Sequence, residues 1–437
     1  MGIVNEIRQL TASQRNAFLA CFLGWSLDAF DFFILTFCLR AIAADFHTGL
    51  TQVAEAVFWT LVMRPVGALL FGILAERYGR RSTLMVNIVC FSVFELASAF
   101  APTLPVLLVC RALFGIAMGG EWGVGAALAL ESLPARGRGF FSGLLQEGYS
   151  VGNLLAAAVF GLLFPHLHGT GLLTNWRVMF MVGTLPALLV FYIRSKVAES
   201  PAWLNAHNAG AAPQPTRPGF ADTVFALRRY WGTFLFLVVL MLAFMSFSHG
   251  TQDLYPTFLE RDHHLPASVV GTIVVISNVG AILGGICCGG LSEIFGRRRT
   301  IITAALLSIP VIPLWAWTHT AWMIAAGAFV MQFLVQGAWG IVPAHLNELS
   351  PAPVRALLPG LVYQLGSLLS SRNIVLQTIL VTRYAGGALA PVLAGTVVVV
   401  ALVMAVVTAL GDEAKGADLS GVGAGSVGFD EREAARV

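Results

Sequence analysis

Arg64 stands in the middle of an apolar stretch running from Thr51 to Ala75, with Pro65 beside it. A guanidinium keeps its charge when buried and presents a planar fork that matches a carboxylate, so an arginine there suits either an organic acid or a buried acidic side chain. Asp28 and Asp31 in Trp25-Ser26-Leu27-Asp28-Ala29-Phe30-Asp31-Phe32-Phe33 lie three positions apart, which puts both on one helical face. Glu121 lies in Gly119-Gly120-Glu121-Trp122-Gly123, again in apolar surroundings. Desolvation favours the protonated form of a carboxylate and a nearby cation favours the charged form, so such groups can carry a proton or simply pair with Arg64. A further group follows helical spacing: His249, Gln252, Asp253 and Thr257 fall at i, i+3, i+4 and i+8, placing imidazole, amide, carboxylate and hydroxyl on one stripe. Gly250 and Pro256 within it loosen the helix. Glu95 and Glu147 read as groups that hydrogen-bond between helices, and Arg111 and Arg372 fall nearer helix ends.

The elements that must hold these residues are apolar. Of 437 residues 57% are hydrophobic and 11% charged, against about a quarter charged in soluble domains. Runs of the ~20 apolar residues needed to cross a bilayer recur near 17–40, 51–75, 83–101, 104–130, 139–163, 176–194, 231–258, 267–291, 300–318, 320–346, 356–382 and 385–410. Barrel strands alternate over about ten residues and would not give unbroken runs of twice that length. The pattern therefore predicts an all-α membrane protein of about twelve transmembrane helices. The first run continues to Leu39 without a small-residue cleavage site, so it is expected to stay in the protein.

Short loops rich in Lys and Arg stay cytoplasmic. With the N-terminus inside, Arg8, Arg15, Arg77, Arg80, Arg81, Arg136, Arg138, Arg194, Lys196, Arg217, Arg228, Arg229, Arg297, Arg298, Arg299 and Arg355 fall on the inner side, and only Arg40, Arg177, Arg261 and Arg383 fall outside. Both termini are thus expected in the cytoplasm, with the chain in the cell (inner) membrane. The net charge of +3 is this bias spread over loops and points to no nucleic-acid partner. The cysteines, Cys21, Cys38, Cys90, Cys110, Cys287 and Cys288, all sit inside apolar runs without paired ligand spacing, which predicts inert thiols and no metal site.

The chain repeats itself. Gly72-Ile73-Leu74-Ala75-Glu76-Arg77-Tyr78-Gly79-Arg80-Arg81 recurs as Gly289-Gly290-Leu291-Ser292-Glu293-Ile294-Phe295-Gly296-Arg297-Arg298, a shift of 217. The same shift carries Trp122 onto Trp339 and Glu131 onto Glu348. Two pseudo-symmetric six-helix halves follow, expected at 1–195 and 231–410, joined by a cytoplasmic linker at 196–230 and trailed by a disordered cytoplasmic tail at 411–437. Substrate sites of repeat-built membrane proteins lie between the repeats, where the first helix and the His249 stripe are repeat-related.

Gly-x-Leu-x-Glu-Arg-x-Gly-Arg-Arg after the second helix, repeated after the eighth, resembles the signature loop of the major facilitator superfamily, and Arg111-x-x-x-Gly115-x-x-x-Gly119 resembles a second motif of that superfamily. The resemblance implies gating roles for Gly72, Glu76, Arg77, Gly79, Arg80, Arg81, Arg111, Gly289, Glu293, Gly296, Arg297 and Arg298. His249-x-Thr251-Gln252-Asp253-x-x-x-Thr257 and Trp25-x-x-Asp28-Ala29-Phe30-Asp31-Phe32-Phe33 are similar to monocarboxylate permeases of the sialate:proton symporter family, with Met245 where those permeases carry Asn. That implies proton-coupled symport of a lactate- or pyruvate-like acid by alternating access. Arg64, His249, Gln252, Asp253 and Thr257 would bind substrate, and Asp28, Asp31, Glu121 and His249 would couple the proton. Shikimate, benzoate or sialate symport and proton-driven drug export are the rival readings. No nucleophile, base and oxyanion donor assemble from the motifs, so no enzyme is expected. The expected partners are the acid, the proton and the lipid bilayer, with no cofactor and a monomeric chain.

Overall fold

The computed structural model describes residues 9–167, 173–208, 225 and 227–419. The N-terminal residues 1–8, most of the expected linker and residues 420–437 of the expected tail lie outside the described residues. Among the described residues the chain is helical, without strands. In chain order the helices are α1 Ala12–Asp45, α2 Leu50–Tyr78, α3 Arg80–Ala99, α4 Leu104–Ser132, α5 in two pieces, Arg138–Gln146 and Gly148–Leu163, and α6 in two pieces, Asn175–Val182 and Leu189–Lys196. A short helix, Pro201–Asn208, follows. The second half comprises α7, Trp231–Gln252 and Tyr255–Arg261, α8 Ala267–Phe295, α9, Arg297–Ser308 and Ile312–Ala316, α10 Ala321–Leu349, α11, Leu358–Ser370 and Asn373–Arg383, and α12 Ala390–Leu410. Ten of these crossings are long and apolar enough to span a bilayer; α9 and α11 make theirs in two pieces.

Local chemistry sets where helices start and break. Thr11 opens α1 with a reciprocal capping box, its hydroxyl accepting from Gln14 N and the Gln14 side chain accepting from Thr11 N. Pro256 and Pro310 lack the N–H that a continuous helix needs, and α7 and α9 break just ahead of or at them. The joints α2–α3 and α8–α9 turn on Gly79 and Gly296, both at φ 96°. That backbone region is strained for any residue with a Cβ, and the two halves use it identically.

The two halves are tied at the end that carries the repeated Gly-Arg loops. Arg80 makes a bidentate pair with Glu131 at 3.1 and 3.2 Å and meets Glu76 at 2.8 Å. Arg297 repeats this with Glu348 at 2.9 and 3.0 Å and Glu293 at 2.8 Å. The same carboxylates reach across: Glu76 accepts from Ala356 N at 2.6 Å, Glu293 accepts from Gly139 N, and Glu348 meets Arg138 at 3.4 Å. Below this layer Gly139 and Gly143 of α5 close on Gly289 and Gly285 of α8 with backbone against backbone. At the opposite end no hydrogen bond or ion pair joins the halves among the described residues.

Two ordered carboxylates lie in segments read from the sequence as linker and tail. Glu199 accepts from Arg80 N at 2.8 Å and Arg81 N at 3.0 Å, satisfying the start of α3. Glu413 does the same for α9 through Arg297 N at 3.1 Å and Arg298 N at 3.0 Å. Beyond it, Leu419 is fully buried among Leu130, Leu133 and Phe141 of the first half.

Candidate functional site

Above the tied end, five aromatic residues from five helices converge. Trp25 of α1 lies 5.5 Å from Tyr149 of α5 and 6.3 Å from Tyr363 of α11, measured between ring centres. Tyr363 stacks on Trp122 of α4 at 4.2 Å and meets Trp339 of α10 edge-on at 5.9 Å. Trp122 Nε1 donates to Gln146, on the last turn before the break in α5, while Trp25 Nε1 finds no partner. Both halves of the chain thus contribute to one aromatic frame.

Arg64 projects from α2 beside it. The side chain is buried, with its Nη2 3.9 Å from Asp28 Oδ2 and 2.8 Å from Met118 Sδ, and Phe32 packs 5.5 Å from the guanidinium carbon. Its Nε has no acceptor, and neither oxygen of Asp28 accepts a hydrogen bond. Glu121 completes the group: it is fully buried, neither of its oxygens has a partner, and it lies against Gly24 of α1, where an added methyl would fall 2.6 Å from Oε1. One guanidinium therefore serves two buried carboxylates with donor capacity left over. A planar anion entering here would find hydrogen-bond donors on one side and ring faces on the other.

A second acidic cluster lies further along α1. Arg111 pairs with Glu95 at 2.7 Å and reaches Ser98, and both oxygens of Asp31 are buried without a hydrogen bond. Asp31 and Glu95 meet beside Gly183 of α6, where an added methyl would lie 2.9 Å from an oxygen of one and 3.1 Å from an oxygen of the other. Arg111, expected among the gating residues, meets Glu95, while Glu131, twenty residues on along α4, meets Arg80, and twenty residues of helix span about 30 Å.

The stripe on α7 is not continuous. His249 and Asp253 pair at 3.2 Å with side chains 43% and 31% exposed. The helix is interrupted after Gln252, which sets Thr257 on the second piece. Gln252 turns to Gln332 of α10 at 2.8 Å and lines, with Thr251, Tyr255, Asn278 and Trp315, a cavity of about 100 Å³ inside the second half. No hydrogen bond or ion pair joins these groups to Arg64 among the described residues. Arg77 lies over Tyr78 at 5.3 Å, and Arg81 donates to the Arg194 carbonyl at 2.7 Å. Arg298 bonds the carbonyls of Thr408 and Ala409, and Gly72 packs on Leu357 across the halves.

Tyr149, Gln146 and Tyr363 were not singled out by the sequence reading. A signal for two of them exists: the shift of 217 that relates Trp122 to Trp339 also relates Gln146 to Tyr363.

The sugar (and other) transporter family matches residues 17–212 and 230–414. The chain belongs to that family. It is 30% identical over 402 residues to a carboxylic acid transporter protein homolog of Saccharomyces cerevisiae, covering 87% of this chain and 64% of that protein, so it spans less than two thirds of that relative's length. It is 29% identical to the sialic acid transporter NanX of Escherichia coli, over 82% of this chain and 85% of that one. Among solved structures, the proton:xylose symporter XylE superposes with a TM-score of 0.72 at 19% identity, over 93% of this chain and 98% of that one. The chain is a multi-pass membrane transporter with the major facilitator fold.

Proposed function

We propose that this transporter carries a small organic monocarboxylate together with a proton by alternating access. The observation that carries the reading is Arg64, a buried cation with unspent donors between two buried acids and an aromatic frame built by both halves. The carboxylate of the substrate would take the open side of the guanidinium, and protonation of Asp28 or Glu121 would keep the site near neutrality once a second anion arrives. Asp31 with Glu95 forms a reserve of buried acid in the same half. His249, Gln252, Asp253 and Thr257 shape the approach from the second half, and the imidazole, paired with Asp253, is assigned to binding. Names of the two relatives, both transporters of acids, support this class.

Residues 1–195 and 231–410 would rock as the two units around the site, with 196–230 linking them and the monomer as the working unit. The Glu76–Arg80 and Glu293–Arg297 layers would latch the closed end, which the positive-inside bias places toward the cytoplasm, with both termini there in the cell membrane.

A ring acid such as benzoate, shikimate or sialate is the second reading, and the five-membered aromatic frame favours it over lactate or pyruvate, which have no ring to stack. Uptake of labelled lactate, pyruvate, benzoate, shikimate and sialate into proteoliposomes under an imposed pH gradient tests both. An acid outside pH should drive accumulation of at least one. Uptake that falls as the outside is acidified would instead favour export.

A further inference from the structure

Of the buried arginines, Arg80, Arg111, Arg138, Arg177, Arg297 and Arg355 each bring a side-chain nitrogen to 3.3 Å or less from a carboxylate or carbonyl oxygen. Arg64 differs. Among the described residues its side chain makes one hydrogen bond, from Nη2 to the thioether Sδ of Met118 at 2.8 Å. Asp28 stands off at 3.9 Å, the ring of Phe32 lies 5.5 Å from the guanidinium carbon, and Nε has no acceptor.

The fold fixes the sulfur in that place. Met118 is fully buried on α4, one residue ahead of Gly119. A methyl group added at Gly119 would fall 2.0 Å from the Arg64 carbonyl oxygen, and one added at Gly115 would fall 2.2 Å from that of Thr60. Gly67 of α2 meets the Ile116 carbonyl in the same way, at 1.7 Å. Backbone therefore lies on backbone to either side of Arg64, which holds the start of its side chain and that of Met118 at a set separation. Both helices belong to the first half, so the sulfur stays beside the guanidinium however the halves move.

A thioether is a weak acceptor, whereas a carboxylate forms charge-assisted and bidentate bonds with a guanidinium. An oxygen in the place of Sδ would engage Nη2 as oxygens engage the other buried arginines, and an incoming acid would have to displace it. Sulfur fills the same space and yields. We infer that Met118 sets the affinity of the site for a carboxylate, by covering Nη2 with an acceptor too weak to satisfy it and so keeping the fork of Arg64 for the substrate. This inference rests on the reading of Arg64 as the group that binds the acid, and adds the residue that keeps that group unspent.

Two substitutions separate the acceptor from the volume. Met118→Leu puts a carbon where Sδ stands and nearly conserves volume, while Met118→Asn puts a carbonyl oxygen at that same atom. The measurement is exchange of internal for external labelled acid in proteoliposomes of the full chain, with the member of the panel above that the native chain exchanges fastest. Met118→Asn should raise the half-saturating concentration about tenfold or more, as a charge-assisted hydrogen bond in need of displacement requires, and leave the maximal rate within about threefold. Met118→Leu should stay within about threefold of the native half-saturating concentration. A native value in Met118→Asn overturns the assignment and leaves the acid reading standing. An equal rise in both variants also overturns it, because packing and not the acceptor would then set the affinity. Should Met118→Asn not elute as a folded species on size exclusion, Met118→Gln replaces it, with the carbonyl oxygen one bond further out and the length of methionine restored, and the same outcomes decide. A native chain that exchanges none of the acids overturns the proposed function first, and this inference with it.

Discussion

The guanidinium of Arg64 and the carboxylate of Asp28 stand 3.9 Å apart, near enough for their charges to compensate and too far for a hydrogen bond. The pair joins α1 to α2 and leaves the arginine's remaining donors for another acceptor. Lysine offers a compact point charge in place of a fork, so Arg64→Lys should not restore uptake although the charge is kept. A lost charge-assisted hydrogen bond is worth about 1.5–3 kcal/mol, or roughly a 10- to 150-fold rise in the KM for the acid. The KM of the Lys variant measures it, and native kinetics would show that only a positive field is needed.

At the tied end, Arg80 holds Glu76 and Glu131 while Glu76 also accepts from Ala356 of the other half. Breaking a buried pair by removing one partner costs about 3–5 kcal/mol. Glu76→Ala or Arg80→Ala should therefore favour the parted state and change the transport rate, with the order of substrate preference untouched. Competition uptake with a panel of acids checks this, and a reordered preference would count against a latch.

His249 pairs with Asp253 at 3.2 Å and keeps 43% of its side chain exposed. His249→Gln should lower apparent affinity a few-fold and leave accumulation after a pH jump intact. If accumulation vanished in this variant while Asp28→Asn retained it, the proton would belong to α7.

Leu419 fills an apolar pocket of the first half while Glu413, six residues earlier, caps α9 of the second. The segment between them spans the halves, with Arg138 donating to the Ala417 carbonyl at 3.0 Å. Burying a charged group without a partner is costly, so Leu419→Asp should release this strap. A cysteine placed at Ser142 should then react with a thiol reagent several-fold faster, and unchanged labelling would show that the strap carries no load.

Much of the fold was legible because its signals are local or repeated. Apolar runs marked the crossings, and the Gly-Arg loop with its 217-residue shift announced two halves before any contact was known. Arg64, Asp28 and Glu121 stood out for a physical reason, since charges in apolar runs need partners. What stayed hidden depends on distance across the chain. Tyr149 and Tyr363 look like ordinary apolar-helix aromatics until their rings meet Trp25 and Trp122. The α7 stripe follows helical spacing that Gly250 and Pro256 loosen, and where the helix breaks, between Gln252 and Tyr255, is set by the fold. Glu199 and Glu413 sit in polar segments whose composition gives no hint that they close helix ends.

Proton flux with the acid tests the central claim most directly. Proteoliposomes in weakly buffered medium, given an accepted acid as its sodium salt, should make the medium more alkaline as proton and anion enter together, and Arg64→Ala vesicles should not. Uptake of labelled acid with no change in medium pH, or with acidification, would contradict proton-coupled symport.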